Sequence, residues 1–234
     1  MIPPREPHPA NASPYRESVQ AWTFGRLTAT VLASAARLVT GLESRWIGGA
    51  RAGMQCVYVA NHTSHADFVL LWASLPPLLR SRTCPVAAAE YWNRGAFRGY
   101  LMKHVFQAVL IERNRVDRAH NPLAPMLQAL DRGKSLIVFP EGTRGNGSEL
   151  LPFKCGIYHL ARQRPGIELV PVWIENAHRV LPRGTTLPVP LLCSVIFGEA
   201  ARLAPHEDKM AFLARLRQNV SDLRKSCEPG TTHS

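Results

Sequence analysis

The sequence predicts an α/β fold: a mostly parallel sheet flanked by helices, preceded by an amphipathic helical segment. Two observations carry this expectation. From residue 54 onward, short β-rich apolar runs alternate with stretches of helical periodicity, an order that requires crossover connections and hence parallel strands. At 234 residues, moreover, the chain is long enough for one domain with a substantial core and short for two.

The chain opens MIPPREPHPANASPYRE, with four prolines in the first ten residues and no charged-then-apolar order. Residues 1–20 therefore read as a disordered lead-in and not as a secretory signal. Residues 21–50 follow as a helical segment. Its most apolar part, about Leu27 to Leu42, is interrupted by Arg37 and is rich in Ala, Ser and Thr. It falls short of the roughly 20 predominantly apolar residues that a membrane span needs. Trp22, Phe24, Leu27, Val31, Leu38 and Leu42, with Arg26, Arg37 and Arg45 nearby, suit a helix lying flat in a membrane interface. An amphipathic helix packed on its own domain explains the same pattern.

Residues 51–234 form the domain proper. Strands are expected near 54–60, 84–89, 105–111, 135–139, 167–174 and 192–197, and helices near 66–75, 92–103, 119–132, 156–164 and 205–225. The last helix is well marked, with Leu213, Leu216 and Val220 at i, i+3 and i+7 and Phe212 alongside. In such sheets ligands gather at the carboxyl ends of the strands, where the loops converge.

Charge and cysteine content narrow the partners. The net charge is +11, and 23 of the 28 cations are arginine, whose planar fork suits phosphate and carboxylate. Nucleic acid, an anionic membrane surface, a phosphorylated substrate and an acidic carrier protein all fit. Nucleic acid is set aside because no recognised binding motif and no array of aromatics interleaved with arginine is present. Cys56, Cys84, Cys155, Cys193 and Cys227 are odd in number, widely spaced and free of any CxxC pair. That argues against a disulfide framework or a structural zinc site and for a reducing compartment.

Three loops follow expected strands and carry unusual chemistry: Asn61-His62-Thr63-Ser64-His65-Ala66-Asp67, Glu112-Arg113-Asn114-Arg115, and Pro140-Glu141-Gly142-Thr143-Arg144-Gly145-Asn146-Gly147. If the strands are parallel, all three leave the same end of the sheet. In the first, Ser64 with Asp67 three residues on resembles a helix-capping box, which leaves His62 incidental. Alternatively, a turn before the helix brings Asp67 back under the His62 imidazole, fixing its tautomer so that the other ring nitrogen takes a proton. The spacing of the two residues leaves both readings open. His65 is a weaker candidate, since on a helix it diverges from Asp67. The other loops supply positive charge, Arg113, Arg115 and Arg144, beside glycines that let backbone approach a ligand closely. The glycine-rich turn lacks the Lys-Ser/Thr of a P-loop and is not read as a nucleotide site.

The first loop resembles the NHxxxxD signature of the glycerolipid acyltransferases, the lysophosphatidic acid acyltransferase family, and Phe139-Pro140-Glu141-Gly142-Thr143-Arg144 resembles that family's FPEGTR block. Val109-Leu110-Ile111-Glu112-Arg113, Leu151-Pro152-Phe153-Lys154-Cys155-Gly156 and Val170-Pro171-Val172 resemble further blocks, in order, across about 54–200. The departures are Glu112 for the usual aspartate, Gln107 where glycine is common, and Gly145 where serine often follows the arginine.

The resemblance implies an acyltransferase. His62, held by Asp67, is then the base that deprotonates a glycerolipid hydroxyl attacking an acyl thioester. Arg113, Arg144 and Lys154 hold the acceptor's phosphate, with Glu141, Gly142 and Thr143 shaping its site. No metal or bound cofactor is implied; acyl-CoA or acyl carrier protein is the co-substrate. The expected acceptor is 1-acyl-sn-glycerol 3-phosphate, with another lysolipid or glycerol 3-phosphate as runner-up. A catalytically silent lipid-binding protein is the non-enzyme alternative. Substrates of this kind place the protein peripherally on the cytoplasmic face of the cell membrane.

Overall fold

The computed structural model describes residues 14–48, 54–89, 96–112, 121–147, 149–177 and 192–226; of residues 14–23, 96 and 97 it describes the backbone alone. Arg113, Asn114 and Arg115 lie outside the described residues. So do most of the lead-in, Trp92, Ala119 and Cys227.

Seven strands form one sheet: β1 (Glu43–Trp46), β2 (Cys56–Ala60), β3 (Thr83–Ala88), β4 (Val109–Ile111), β5 (Ser135–Val138), β6 (Glu168–Glu175) and β7 (Ser194–Phe197). Their spatial order is β1-β7-β6-β2-β5-β3-β4. Strands β2 to β6 are mutually parallel, β7 pairs antiparallel with β6, and β1 pairs parallel with β7. The expected mostly parallel α/β sheet is therefore what forms. Strand β2 is central, and all five of its residues are buried, because helices cover both faces.

Alternation along β2 sorts the core into two layers. Tyr58 and Ala60 pack with α1 (Pro14–Thr40), α2 (Asp67–Ser74) and the π-helical turn Leu101–Val105. Val57 and Val59 face the other way, toward α5 (Leu123–Asp131), α6 (Gly156–Gln163) and α7 (Lys209–Lys225). Two short helices, α3 (Pro77–Arg82) and α4 (Ala96–Tyr100), complete the set. Helix α7 begins at Lys209, later than periodicity alone places it, because the Asp208 carboxylate accepts from the N–H groups of Met210 and Ala211 at 2.7 and 3.3 Å.

Several expectations are corrected. Helix α1 starts at Pro14, within the stretch read as lead-in, and stops at Thr40. Gly41, at φ +49, ends it, and Leu42 N–H returns to the Arg37 carbonyl at 3.2 Å in a Schellman closure. The expected helical segment 21–50 then contains a strand instead. β1, Glu-Ser-Arg-Trp, carries no apolar alternation; it is an edge strand held by β7, with Trp46 stacked on Phe197 at 3.9 Å. The expected strand 105–111 shrinks to Val109–Ile111. Its first part closes the π-helical turn, and Gln107 at φ +50 breaks the extended run between the two. Helix α3 was not anticipated, although Pro77 sits at its first turn, where proline is favoured.

Phe197 is fully buried, stacked on Trp46 and edge-on to Tyr58 at 5.8 Å, so it ties the antiparallel edge to the parallel centre. Phe197→Ala should lower the unfolding free energy in urea by about 3–5 kcal/mol. A loss under about 1 kcal/mol would show that the β1–β7 edge contributes little to the cooperative core.

Candidate active site

β2 ends at Ala60, and the buried Asn61 extends its pairing by one side chain. Asn61 Nδ2 donates to the Ile174 carbonyl at 3.0 Å, and its Oδ1 accepts from Ile174 N–H at 2.8 Å. The next residue, His62, thus leaves from an anchored point on the sheet rim.

Asp67, the first residue of α2, is wholly buried. Its Oδ2 accepts from His62 Nδ1 at 2.8 Å, from Thr63 N–H at 2.6 Å and from Ser64 N–H at 2.8 Å, while Thr63 Oγ1 donates to Oδ1 at 3.4 Å. Ser64 Oγ accepts from Ala66 N–H at 3.2 Å, closing the turn that precedes the helix. Of the two readings left open by spacing, the braced ring is the one that forms: α2 starts at Asp67 with Ala66 at its N-cap and no side-chain cap, and the carboxylate serves the loop and the imidazole. With a carboxylate as its partner, Nδ1 is the protonated ring nitrogen, and Nε2 is left with its lone pair. The ring stacks on Phe139, with centroids 4.4 Å apart.

The loop after β5 is tied to this one at two points. Gly145 N–H donates to the His62 carbonyl at 2.8 Å. Glu141, buried, accepts from His62 N–H on Oε1 at 2.7 Å and from Leu151 N–H on Oε2 at 2.9 Å. Burial pushes the Glu141 carboxyl up, while those two N–H groups and the His62 charge pull it down. Gly142 turns at φ +70 with its N–H on the Phe139 carbonyl at 3.1 Å. The backbone angle there favours glycine, and the Lys154 side chain lies across it, with its Cε 2.6 Å from where a Cβ would stand.

His62, His65, Gly142, Thr143 and Arg144 line a cavity of about 210 Å³ at the carboxyl ends of β2, β3 and β5, and Val86, Ala88, Phe68, Met102 and Phe139 supply its apolar wall. Burial, then the charges of Arg144 and His62, push His65 down to about 4, so at neutral pH it faces the cavity as a neutral imidazole. Arg98 adds to that field. Among the described residues no three His, Cys, Asp or Glu side chains gather as a metal site.

Of the residues singled out from sequence, His62, Asp67, Gly142, Thr143 and Arg144 come together here. Glu141 stands behind the cavity wall with both oxygens on backbone N–H groups, and Lys154 is exposed with its chain across Gly142. Arg113 lies outside the described residues, although β4 delivers the chain to the same sheet edge. Asn61 and Phe139 stood in the quoted motifs without a role of their own, and Arg98 and the β3 wall were not anticipated, because nothing local in the sequence marks a residue that faces a loop from another strand.

A family model described as Acyltransferase matches residues 44–175. The chain is similar to 1-acyl-sn-glycerol-3-phosphate acyltransferases from Saccharomyces cerevisiae, 33% identical over 64% of this chain and 48% of the relative. Those of Limnanthes douglasii, 29% over 72% and 58%, and Haemophilus influenzae, 26% over 74% and 65%, are similar too. The chain spans about half the length of the curated relatives it matches. The crystal structure of the 1-acyl-sn-glycerophosphate (LPA) acyltransferase PlsC from Thermotoga maritima shares the fold, with TM-score 0.60 and 20% identity over 88% of this chain and 78% of that one. With its two signature loops joined at one edge of a parallel sheet, the chain belongs to the acyltransferase family.

Proposed function

We propose that this chain is an O-acyltransferase that moves a fatty acyl group from an acyl thioester to the free hydroxyl of 1-acyl-sn-glycerol 3-phosphate, giving phosphatidic acid. The observation that carries this reading is the His62 Nδ1 to Asp67 contact of 2.8 Å beside a cavity that Arg144 also lines. The names of the relatives support the acceptor.

In this mechanism the acceptor hydroxyl gives its proton to His62 Nε2 as its oxygen attacks the thioester carbonyl, and Asp67 stabilises the resulting imidazolium. A loop backbone N–H steadies the oxyanion. When the tetrahedral intermediate collapses, the C–S bond breaks and the imidazolium returns the proton to the departing thiolate. Arg144 holds the acceptor phosphate, and Arg113, arriving from β4, is the second clamp. His65, kept neutral, offers a hydrogen bond without adding charge. Glu141 acts by positioning, since it fixes the His62 backbone to the loop that carries Arg144. The cavity, at about 210 Å³, accommodates the reacting groups, and the lipid chains extend beyond it. The donor is acyl-CoA or acyl carrier protein, and no bound cofactor takes part.

Work on such lipids takes place at a membrane surface. Among the described residues no helix is long and apolar enough to cross a membrane. Helix α1 instead exposes Phe24, Leu27, Val31 and Leu38, between 61 and 84% accessible, and their spacing puts them on one side of the helix. That stripe is the proposed contact with the cytoplasmic face of the cell membrane.

His62→Ala should lower acyl transfer from a labelled thioester by at least about a hundredfold, with an unchanged circular dichroism spectrum; near-normal turnover would refute the base assignment. Arg144→Ala should raise KM for the lysolipid roughly ten- to a hundredfold, as expected for a lost charged contact, and proton NMR should show His65 titrating closer to 6.5. An unchanged KM would remove Arg144 from the acceptor site. Replacing Leu27 and Val31 together by aspartate should weaken association with lipid vesicles more than tenfold in a sedimentation assay. Full retention would place the membrane contact elsewhere.

A further inference from the structure

The loop after β5 is held at its far end by helix α7. Leu150 is buried in the same apolar layer as Phe212, Leu213 and Leu216 of that helix, which seats its side chain. Its backbone is gripped separately: the half-buried Arg217 donates to the Leu150 carbonyl from Nε at 3.2 Å and from Nη2 at 2.5 Å.

The Leu150 carbonyl and the Leu151 N–H belong to one peptide unit, and because that unit is trans they point opposite ways. The N–H donates to Glu141 Oε2 at 2.9 Å, and Glu141 Oε1 accepts from His62 N–H at 2.7 Å. Arg217 is thus joined to the backbone of His62 through one peptide and one carboxylate. A cation on the carbonyl makes the N–H of the same peptide a better donor to that carboxylate. Burial pushes Glu141 up, and the Leu151 N–H is the strongest influence holding it down, ahead of the His62 N–H. Arg215 and Lys225, on the same helix, instead pair with Glu207 at 2.7 Å and Asp222 at 2.8 Å. Arg217 sets two donors on one carbonyl, although its fork suits a carboxylate, and the carboxylate it serves lies on the far side of that peptide.

We infer that Arg217 is a positioning residue for acyl transfer: its grip on the Leu150–Leu151 peptide seats Glu141, and through Glu141 the backbone of His62. The inference rests on the assignment of His62 as the base. Arg217 does not line the catalytic cavity, so it acts only through the groups between. Gly145 N–H keeps its own bond to the His62 carbonyl at 2.8 Å, next to Arg144 in the chain. Loss of the Arg217 grip is therefore felt at the base, in kcat, more than at the acceptor clamp, in KM.

The test is steady-state kinetics of the full chain with a labelled acyl thioester and the lysolipid. Arg217→Met, which keeps the apolar stem and removes the donors, should lower kcat about tenfold while KM for the lysolipid stays within about threefold. Arg217→Lys, which returns one cationic donor, should regain about threefold of that loss. The control is Arg215→Met, since Arg215 carries the same charge on the same helix and also holds a backbone carbonyl, that of Arg202 at 2.9 Å; its kcat should stay within about twofold. Equal losses in the two methionine variants would trace the effect to the stability of α7 and overturn the inference, as would an unchanged kcat in Arg217→Met. Glu141→Gln removes the ability to accept on both oxygens, so in that background Arg217→Met should lower kcat by less than about a further twofold. Losses that multiply would overturn action through Glu141. If Arg217→Met lacks the native circular dichroism spectrum, Arg217→Lys carries the same comparison and the same cycle. His62→Ala run in parallel separates the two readings: turnover retained there overturns the base assignment, whereas an inactive His62→Ala beside a fully active Arg217→Met overturns the positioning role alone.

Discussion

The site depends on one buried carboxylate. Asp67 Oδ2 collects the imidazole N–H of His62 and the backbone N–H groups of Thr63 and Ser64, all between 2.6 and 2.8 Å. A buried acceptor without donors is costly, so the loop from 62 to 66 must wrap around this oxygen. The same wrapping leads the chain into helix α2 and sets the imidazole tautomer. Loop shape and ring orientation are therefore not separable, and a substitution at 67 disturbs both.

Glu141 repeats this logic between strands. Its two oxygens hold the N–H groups of His62 and Leu151, so the loop after β2 is tied to both ends of the loop after β5. The parallel pairing of β2 with β5 and β6 makes this possible, because it brings the carboxyl ends of these strands to one edge. Gly142 then passes under Lys154 at a backbone angle that other residues rarely adopt, and Arg144 enters the cavity beside His65. Burial, with the positive charges of Arg144 and His62 added to it, keeps His65 neutral there.

Arginine is spread over the whole molecule, and its roles differ by layer. Arg144 lines the cavity at the carboxyl edge of the sheet, and Arg80 and Arg26 line one at the amino edge. Others are structural: Arg215 is paired with Glu207 at 2.7 Å, and Arg202 with the buried Glu168 at 2.8 Å. Net charge by itself does not separate these uses.

The α/β class, the order of most elements and the loops carrying His62, Asp67 and Arg144 were legible in the sequence, because hydrophobic period and short motifs are local properties. Three features were decided by the tertiary structure alone. β1 has no apolar alternation and exists because β7 offers it backbone partners and Phe197 offers Trp46 a stacking surface. The apolar run before β4 turns as a π-helix because Met102 and Val105 pack into the core beside α1. Asp67 and Glu141, both plausible as site residues from their motifs, take their actual geometry from donors that only folding brings within reach. Sequence determines which groups are available within a few residues; which of them meet is settled by burial and hydrogen bonding between segments far apart in the chain.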